Sequence, residues 1–167
     1  MKAEDIDQEF LKLLNRYQPV IHKVCHMYAD SPEDRRDLFQ ETLYQLWRSY
    51  PSFTGRSDFG TWMYRIALNT AITALRKERR KPEHVQIDDG LLQEVTPSDT
   101  LDEAQRTNLL YRAIRRLNQI ERALVLLYLE DLSYKEMSDI LGLSESNIGV
   151  KLNRIKAKLQ NFVRELE

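Results

Sequence analysis

The 167-residue sequence has one cysteine, Cys25, five glycines and no long apolar run. A single cysteine cannot form a disulfide within the chain, so nothing indicates an oxidising compartment. The glycines form neither a phosphate-binding loop nor a nucleophile elbow, which argues against a nucleotide-binding or hydrolytic enzyme. No stretch approaches the ~18 apolar residues of a membrane span. The N-terminus, MKAEDIDQEF, is acidic where a secretory signal is basic. We therefore expect a cytoplasmic protein without membrane insertion that is not an enzyme.

Metal ligands are also scarce, because the chain has only three histidines. His22, Cys25 and His26 have i, i+3, i+4 spacing, which would place three ligands on one side of a helix. A tetrahedral site needs a fourth ligand, and no second Cys/His pair is present. We expect these three residues to have packing and surface roles, with no metal site and no cofactor.

Apolar residues recur at three- and four-residue steps along nearly the whole chain, whereas strand alternation is absent. The sequence therefore predicts an all-α protein. Pro19 either kinks the first helix or opens a second one. The first helix has the apolar face Phe10, Leu13, Leu14, Tyr17, Val20, Ile21, Val24 and Tyr28.

The next helix has a well-defined start, with Ser31 as N-cap and Pro32 at the first helical position. It should stop before Pro51. A loop over residues 52–57 should follow, with Ser57 capping a long helix over residues 59–81. The predicted buried residues of the second helix are Leu38 or Phe39, Thr42, Leu43, Leu46 and Trp47.

Residues 82–103 carry seven carboxylates and no lysine or arginine. This composition is typical of a flexible linker. The sequence thus predicts two small helical domains, an N-terminal helical bundle over residues 1–81 and a C-terminal domain over 104–167, joined by an acidic linker. In the second domain, Thr100 and Glu103 form a capping box, and the apolar segment ERALVLLYLED should be the centre of the core. The face Leu110, Ala113, Ile114 and Leu117 should pack against it.

A helix-turn-helix pattern ends the chain. Ser133 and Glu136 form a capping box for a short helix, Gly142 lies in the turn, and Ser144 caps the last helix. That helix has one apolar stripe, Ile148, Leu152, Ile155, Leu159, Phe162 and Leu166. Beside it run Asn147, Lys151, Arg154 and Lys158, which are side chains suited to a DNA groove. The other interpretation of this stripe is a solvated face of an ordinary bundle helix.

The charge distribution qualifies this DNA-binding interpretation. The formal net charge is −1 and the isoelectric point about 6.3, whereas an autonomous DNA-binding domain is usually strongly basic. Five cations against one carboxylate occur only locally, over residues 73–81 and 144–164. We expect the chain to touch DNA at two places and to bind it weakly on its own.

Three motifs in order resemble the extracytoplasmic-function (ECF) sigma factors, the small two-domain class of bacterial transcription initiation factors. The motifs are DLFQETLYQLW (37–47), SDFGTWMYRIALNTAITALRKERR (57–80) and LSYKEMSDILGLSESNIGVKLNRIKAKL (132–159). The resemblance implies a factor that directs core RNA polymerase to promoters. It also implies that the first motif docks on polymerase through Asp34, Asp37, Leu38, Gln40 and Glu41.

The second motif, by the same resemblance, melts the minus-ten region and holds the separated strand. Aromatic, amide and arginine side chains suit such a strand, because bases stack and phosphates attract cations. We expect Phe59, Trp62, Met63, Ile66 and Ala71 to be buried, with Trp62 open to either a core or a DNA role. Phe53, in the preceding loop, is open to a base-stacking or an anchoring role. The expected strand-contacting residues are Phe53, Tyr64, Arg65, Asn69, Arg76 and Arg79.

The third motif, in similar factors, reads the minus-thirty-five duplex. The candidate residues are Glu145, Ser146, Asn147, Lys151, Arg154 and Lys158. Gly149 departs from the family pattern, which has a longer residue there, and Leu43 stands where phenylalanine is usual. The resemblance also implies an anti-sigma partner, and a path for the acidic linker toward the RNA channel of polymerase.

A free-standing helix-turn-helix regulator with an N-terminal sensing or dimerising domain is the competing hypothesis. It would explain residues 104–167 and leave the first two motifs unused.

Overall fold

The computed structural model describes residues 3–79 and 101–166. Within these ranges the chain forms α-helices and one 3-10 turn, Tyr50–Ser52, and no strand, which confirms the all-α prediction. Residues 82–100 of the predicted linker, with the Thr100 cap, lie outside the described residues, and its last three residues, 101–103, belong to the first helix of the second unit. The helices are α1 (Ala3–Tyr28), α2 (Pro32–Ser49), α3 (Phe59–Arg79), α4 (Leu101–Ile114), α5 (Gln119–Leu129), α6 (Tyr134–Leu141) and α7 (Glu145–Leu166).

Contacts between Cα atoms divide the chain into two compact units. The first contains Met1–Ala29 and Glu33–Pro82, and the second contains Asp30–Pro32 and Glu83–Glu167. In the first unit α1 packs against α3, and in the second α7 packs against α4, α5 and α6. Each unit therefore has its own core. No helix in the described parts of the chain combines the length and hydrophobicity needed to cross a membrane.

The first unit is built on α1, which is continuous through Pro19. Of the two possibilities for this proline, the single helix is the one observed. The ring lies on the exposed side, where water can reach the carbonyl oxygen of Asn15 that loses its intrahelical donor, since Asn15 is exposed as well. Phe10, Ile21, Val24 and Tyr28 are buried as expected.

A buried arginine joins α1 to α2. Arg35 is 8% exposed, and its Nε donates to the carbonyl oxygen of Ala29 at 3.1 Å. The guanidinium thereby satisfies a carbonyl just beyond the C-terminus of α1, where no intrahelical donor remains. Burial raises the pKa of the nearby Cys25 thiol to about 12, although the positive charge of Arg35 opposes the shift. Cys25 is therefore a neutral core residue.

The start of α3 differs from the prediction. Asp58 is the capping residue and not Ser57, because its Oδ1 accepts from the backbone N–H of Thr61 at 2.7 Å. A carboxylate oxygen accepts the capping hydrogen bond as a hydroxyl oxygen would. Its negative charge also interacts favourably with the positive end of the helix dipole. Gly60 follows in the first turn, where an added Cβ would lie 3.0 Å from Oη of Tyr17. The absence of a side chain lets α1 approach closely here.

The core of the second unit is α5, in which every residue from 122 to 127 is buried. Asn118 and Glu121 form a capping box that the sequence analysis missed. Arg122 is 4% exposed and donates from Nε to the carbonyl oxygen of Leu117 and from a terminal nitrogen to that of Arg115. It therefore satisfies carbonyls at the end of α4, as Arg35 does beyond α1.

The helix-turn-helix has the predicted local structure. Ser133 and Glu136 exchange both capping-box hydrogen bonds, Gly142 ends α6 with φ 73°, and Ser144 Oγ accepts from the N–H of Asn147 at 3.1 Å. Left-handed φ favours glycine at such a C-cap. Asp131, just after α5, also has a positive φ of 60°. A side chain with a Cβ is therefore held in the left-handed region.

Four apolar residues predicted to lie in the cores are exposed, and two of them, Tyr128 and Leu129, end the apolar segment of α5. Trp47 is 48% exposed and Leu110 is 36% exposed. On α2 the buried side is formed by Arg35, Leu38, Thr42 and Leu46. Trp47 comes one residue after Leu46, about 100° further around the helix, which turns it outward.

Candidate polymerase-binding and DNA-binding surfaces

The outer face of α2 is acidic and amide-rich. Asp37, Gln40 and Glu41 are exposed, and Asp34 is half-buried at the edge. Gln45 donates from Nε2 to Oε1 of Glu41 at 2.9 Å, which orients that carboxylate. These residues present hydrogen-bond acceptors and negative charge to a partner. The structure thus brings together four of the five residues assigned to polymerase docking.

Leu38 is the fifth, and it does not belong to this surface. It is 5% exposed and lies in the buried stripe of α2 with Thr42 and Leu46. Thr42 Oγ1 donates back to the Leu38 carbonyl at 2.8 Å, inside the core. Leu38 therefore lies in the core of the first unit, as the burial prediction for α2 allowed, and not on the outer face.

Two aromatic residues extend the outer face of α2 beyond the predicted set. Tyr44 is 55% exposed and Trp47 is 48% exposed. They follow Gln40 at steps of four and three, so all three share one side of the helix. The ring of Trp47 meets that of Phe10 edge-on, with centroids 5.5 Å apart. We call Asp34, Asp37, Gln40, Glu41, Tyr44 and Trp47 the α2 surface.

The outer face of α3 carries an aromatic ring, an amide and cations in one line. Trp62, Arg65, Asn69 and Arg76 follow at steps of three, four and seven. Arg65, Asn69 and Arg76 are exposed and Trp62 is half-buried. This line, which we call the α3 face, has the groups that a single strand requires, a stacking platform and donors for phosphates. The side chain of Arg79 lies outside the described residues.

Tyr64 was predicted to contact the melted strand, but the structure buries its side chain. It is 6% exposed and shares the buried side of α3 with Met63, Ala67 and Leu68. The residue assigned to the strand is thus part of the core. Its burial follows from helical phase, because Tyr64 is about 200° from Trp62 around the helix.

Aromatic rings cluster where the loop meets the start of α3. Phe53 lies 5.1 Å from Trp62 and 6.0 Å from Phe59, measured between ring centroids. Tyr50 stacks on Phe53 at 6.2 Å. Phe53 is half-buried, so it anchors the loop and still offers part of its ring. Burial raises the pKa of Tyr50, and the charge of Glu9 adds to the shift.

The predicted residues of α7 separate into two groups. Glu145, Ser146, Asn147 and Arg154 are exposed around the first three turns, whereas Lys151 is half-buried. Lys151 is partly covered because the predicted polar stripe runs beside the apolar stripe of α7. That apolar stripe is buried, with Ile148, Leu152 and Ile155 only 0–2% exposed. The side diametrically opposite these residues carries Ser146, Val150 and Asn153, of which only Ser146 was predicted.

Lys158 has a structural partner. Its Nζ lies 2.8 Å from Oε2 of Glu121, at the start of α5. Burial raises the pKa of Glu121, but the hydrogen bonds from Lys158 and the Asn118 backbone and the charge of Lys151 outweigh it, and the pKa is lowered. The ion pair ties α7 to α5, so Lys158 has a structural role in addition to the predicted contact with DNA.

The possible metal ligands do not converge. Cys25 is buried, while His22 is exposed and stacks on Phe39 with ring centroids 4.3 Å apart. In the described ranges, no three histidine, cysteine, aspartate or glutamate side chains are grouped so that they could hold a metal ion.

Two family models match the chain in order. "Sigma-70 region 2" matches residues 13–81 and "Sigma-70, region 4" matches residues 107–159. The first match includes α2, α3 and the loop between them, and the second includes the helix-turn-helix. The two together define the sigma-70 class of transcription initiation factors, which are not enzymes.

Curated relatives indicate which subfamily of sigma-70 factors the chain belongs to. The ECF RNA polymerase sigma-E factor of Salmonella typhimurium LT2 is 30% identical, over 96% of this chain and 90% of its own. That of Haemophilus influenzae is 28% identical, over 94% of this chain and 88% of its own. The chain therefore belongs to the ECF subfamily of sigma-70 RNA polymerase sigma factors. A regulator with an unrelated N-terminal domain would not account for the region 2 match.

A solved structure agrees on the fold. The sigma factor RpoE of Bartonella quintana, in complex with the anti-sigma factor NepR, superposes with a TM-score of 0.78 at 21% identity, covering 94% of this chain and 98% of that one.

Proposed function

We propose that this ECF sigma factor directs core RNA polymerase to promoters through three separate surfaces. The α2 surface docks on polymerase, the α3 face and its loop hold the melted minus-ten strand, and the first turns of α7 read the minus-thirty-five duplex. The linker and domain boundaries follow the same division, with residues 1–81 acting at polymerase and the minus-ten region and 104–167 at the minus-thirty-five region. The chain is proposed to act in the cytoplasm, without catalysing a reaction itself.

The observation that carries the proposal is the α3 face. Trp62 supplies a ring beside Phe53, Asn69 supplies an amide, and Arg65 and Arg76 supply cations, all on one exposed side of a helix whose opposite side is the core. A double helix hides its bases from such a ring, whereas a separated strand exposes them. Extracting a base costs a few kcal/mol, which stacking at ~1–3 kcal/mol per base and contacts to polymerase must offset.

The α2 surface is proposed to bind a basic partner helix. Asp37 and Glu41 supply negative charge, and Tyr44 and Trp47 supply exposed rings at the end of the same face. Exposed aromatic residues beside a polar edge are typical of the centre and rim of a binding interface. The charges would set orientation and association rate, and the rings would supply most of the affinity.

The minus-thirty-five duplex is proposed to meet the exposed residues at the start of α7. Asn147 and Arg154 have the donors and acceptors for bidentate contacts with adenine and guanine, and Ser146 can accept or donate. Lys151 and Lys158 then act chiefly in fixing the helix against Glu121.

An anti-sigma factor is proposed as a regulatory partner. The RpoE structure of Bartonella quintana is a complex with the anti-sigma factor NepR, and a second solved structure with the same fold, at 18% identity and a TM-score of 0.67, is CnrH with the cytosolic domain of CnrY. A protein that covers the α2 surface would block polymerase docking by direct competition.

Run-off transcription tests the proposed function. Sheared genomic DNA of the source organism is transcribed by its core polymerase with and without this chain. Discrete transcripts that need the chain are expected, and their upstream sequences define both promoter elements. Absence of such transcripts, together with failure to co-elute with core polymerase, would contradict the proposal and favour a free-standing regulator.

Two substitutions test the division of labour. Arg154→Ala should weaken formation of the closed complex, because it removes a contact to duplex DNA. Asn69→Ala should leave the closed complex intact and impair opening, because it removes a contact to the melted strand. Gel shift on duplex promoter and permanganate footprinting separate the two steps. Equal loss of both steps in both variants would contradict separate sites.

A further inference from the structure

Val150 is an exposed branched apolar residue in the second turn of the helix that is proposed to read DNA. It is 49% exposed. It lies directly opposite the buried side of α7, since Ile148 and Leu152 flank it at two residues on either side, each about 200° away around the helix. Ser146 and Asn153, both exposed, are its neighbours on the same face. A lone surface valine needs no explanation, but this one is central to the reading face.

Three of the positions near Val150 have small side chains or none. Ser146 and Ala157 lie one and two turns away on the same side, and Gly149 is adjacent. Glycine within a helix costs up to about 1 kcal/mol relative to alanine. At position 149 the missing side chain leaves the ring of Tyr134 against the helix, with Cε2 3.4 Å from where a Cβ would stand. The flank of Val150 toward Ser146 therefore carries no long side chain, whereas the exposed Arg154 lies one turn further along the helix.

Close approach is what a valine needs, because its methyl groups reach little beyond the helix surface. The apolar feature in the major groove is the C5-methyl group of thymine. The hydroxyl of Ser146 and the amide of Asn153 can bond neighbouring base edges, whereas Val150 can only contact a methyl group.

We propose that Val150 is a specificity-determining residue that reads the methyl group of a thymine in the minus-thirty-five element. The inference rests on the proposed role of α7. It adds that one A·T pair of that element is recognised through an apolar contact.

The test removes the methyl group from DNA and from protein separately. Promoter duplexes identified by run-off transcription are made with deoxyuridine replacing each minus-thirty-five thymine, on either strand, one at a time. Holoenzymes containing the wild-type chain, Val150→Ala or Val150→Thr are then compared for closed-complex affinity. Val150→Thr keeps the size and one methyl group of valine, and it is the matched control.

At one thymine, deoxyuridine should weaken the wild-type complex roughly fourfold, the factor expected for one methyl-sized apolar contact. Val150→Ala should show a similar loss with thymine and no further loss with deoxyuridine, while Val150→Thr should retain most of the effect. The proposal would be overturned if no deoxyuridine substitution affects the wild type, if Val150→Ala responds as the wild type does, or if the element has no A·T pair. Promoter-specific transcription would persist in each of those cases, so the proposed function would stand.

Discussion

Replacing Trp62 with alanine should weaken binding of the melted minus-ten strand without unfolding the first unit. Trp62 is half-buried and its ring contacts Phe53, Phe59 and Tyr50, at centroid distances of 5.1, 5.3 and 6.1 Å. Loss of three such ring pairs costs about 1.5–4.5 kcal/mol of folding free energy. Loss of one base stack, worth ~1–3 kcal/mol, weakens strand binding by roughly 5- to 150-fold.

Substitutions at Tyr64 separate the core contribution from the strand contribution. Tyr64→Ala should destabilise the first unit by about 3–5 kcal/mol, since the ring is 6% exposed and its removal leaves a cavity. Tyr64→Phe and Trp62→Phe both keep a ring in place. They should therefore bind the strand within a fewfold of the wild type.

Fluorescence anisotropy of holoenzyme with a labelled minus-ten oligonucleotide measures strand binding, and urea unfolding of the chain measures stability. The assignment would be refuted if Trp62→Ala bound the strand as tightly as the wild type, or if Tyr64→Phe lost as much affinity as Trp62→Ala. The second result would mean that Tyr64 leaves the core when DNA binds.

Three further substitutions test the local structure of the second unit. Asp131→Gly should stabilise the chain by about 1 kcal/mol in urea unfolding, because Asp131 has φ 60° and is a negative charge at a helix C-terminus; no change would mean that its conformation is not strained. Arg122→Met should lower the free energy of unfolding by about 2–4 kcal/mol, because two carbonyls lose charged donors; a stable variant would contradict that role. The lowered pKa of Glu121 contributes stability that is complete above its unfolded pKa and is lost as pH falls through its folded pKa. Glu121→Gln should therefore differ most from the wild type in thermal unfolding at pH 7 and least at acid pH, and a constant difference would exclude the ion pair as the cause.

Helix starts were predictable because their signals are local. Ser133 and Glu136, three residues apart, satisfy each other's backbone donors whatever the tertiary context. The same holds for Pro32 at the first position of α2 and for Gly142, whose left-handed φ suits the residue that ends α6. At α3, Ser57 and Asp58 are adjacent capping residues, and composition alone does not choose between them.

The orientation of α3 was less predictable, because apolar residues occur on most of its sides. Trp62, Met63 and Tyr64 are consecutive, so any phase buries at least one of them. Which of the three is buried depends on where α1 packs against α3. The hydrophobic periodicity of α3 gives no information about that long-range contact. Buried arginines were missed for a related reason. Arg35 and Arg122 look like surface cations until the carbonyl groups at the preceding helix ends are located.

The arrangement of charge on α7 explains why this factor should need polymerase to bind a promoter. Among its lysines, Lys158 is paired with Glu121 and Lys156 lies over the ring of Tyr128 at 4.6 Å. Lys151 is half-buried, which leaves Arg154 and Lys158 as the exposed cations among the predicted contacts, and Lys158 is the one paired with Glu121. Each phosphate neutralised contributes about −0.9 to the slope of log affinity against log salt, so a face with few available cations binds duplex weakly. Its exposed groups at residues 146, 147, 150 and 153 are uncharged, and in the proposed function they discriminate bases without supplying much affinity. Under that proposal the remaining affinity comes from the partner that binds the α2 surface, which makes specific recognition conditional on polymerase.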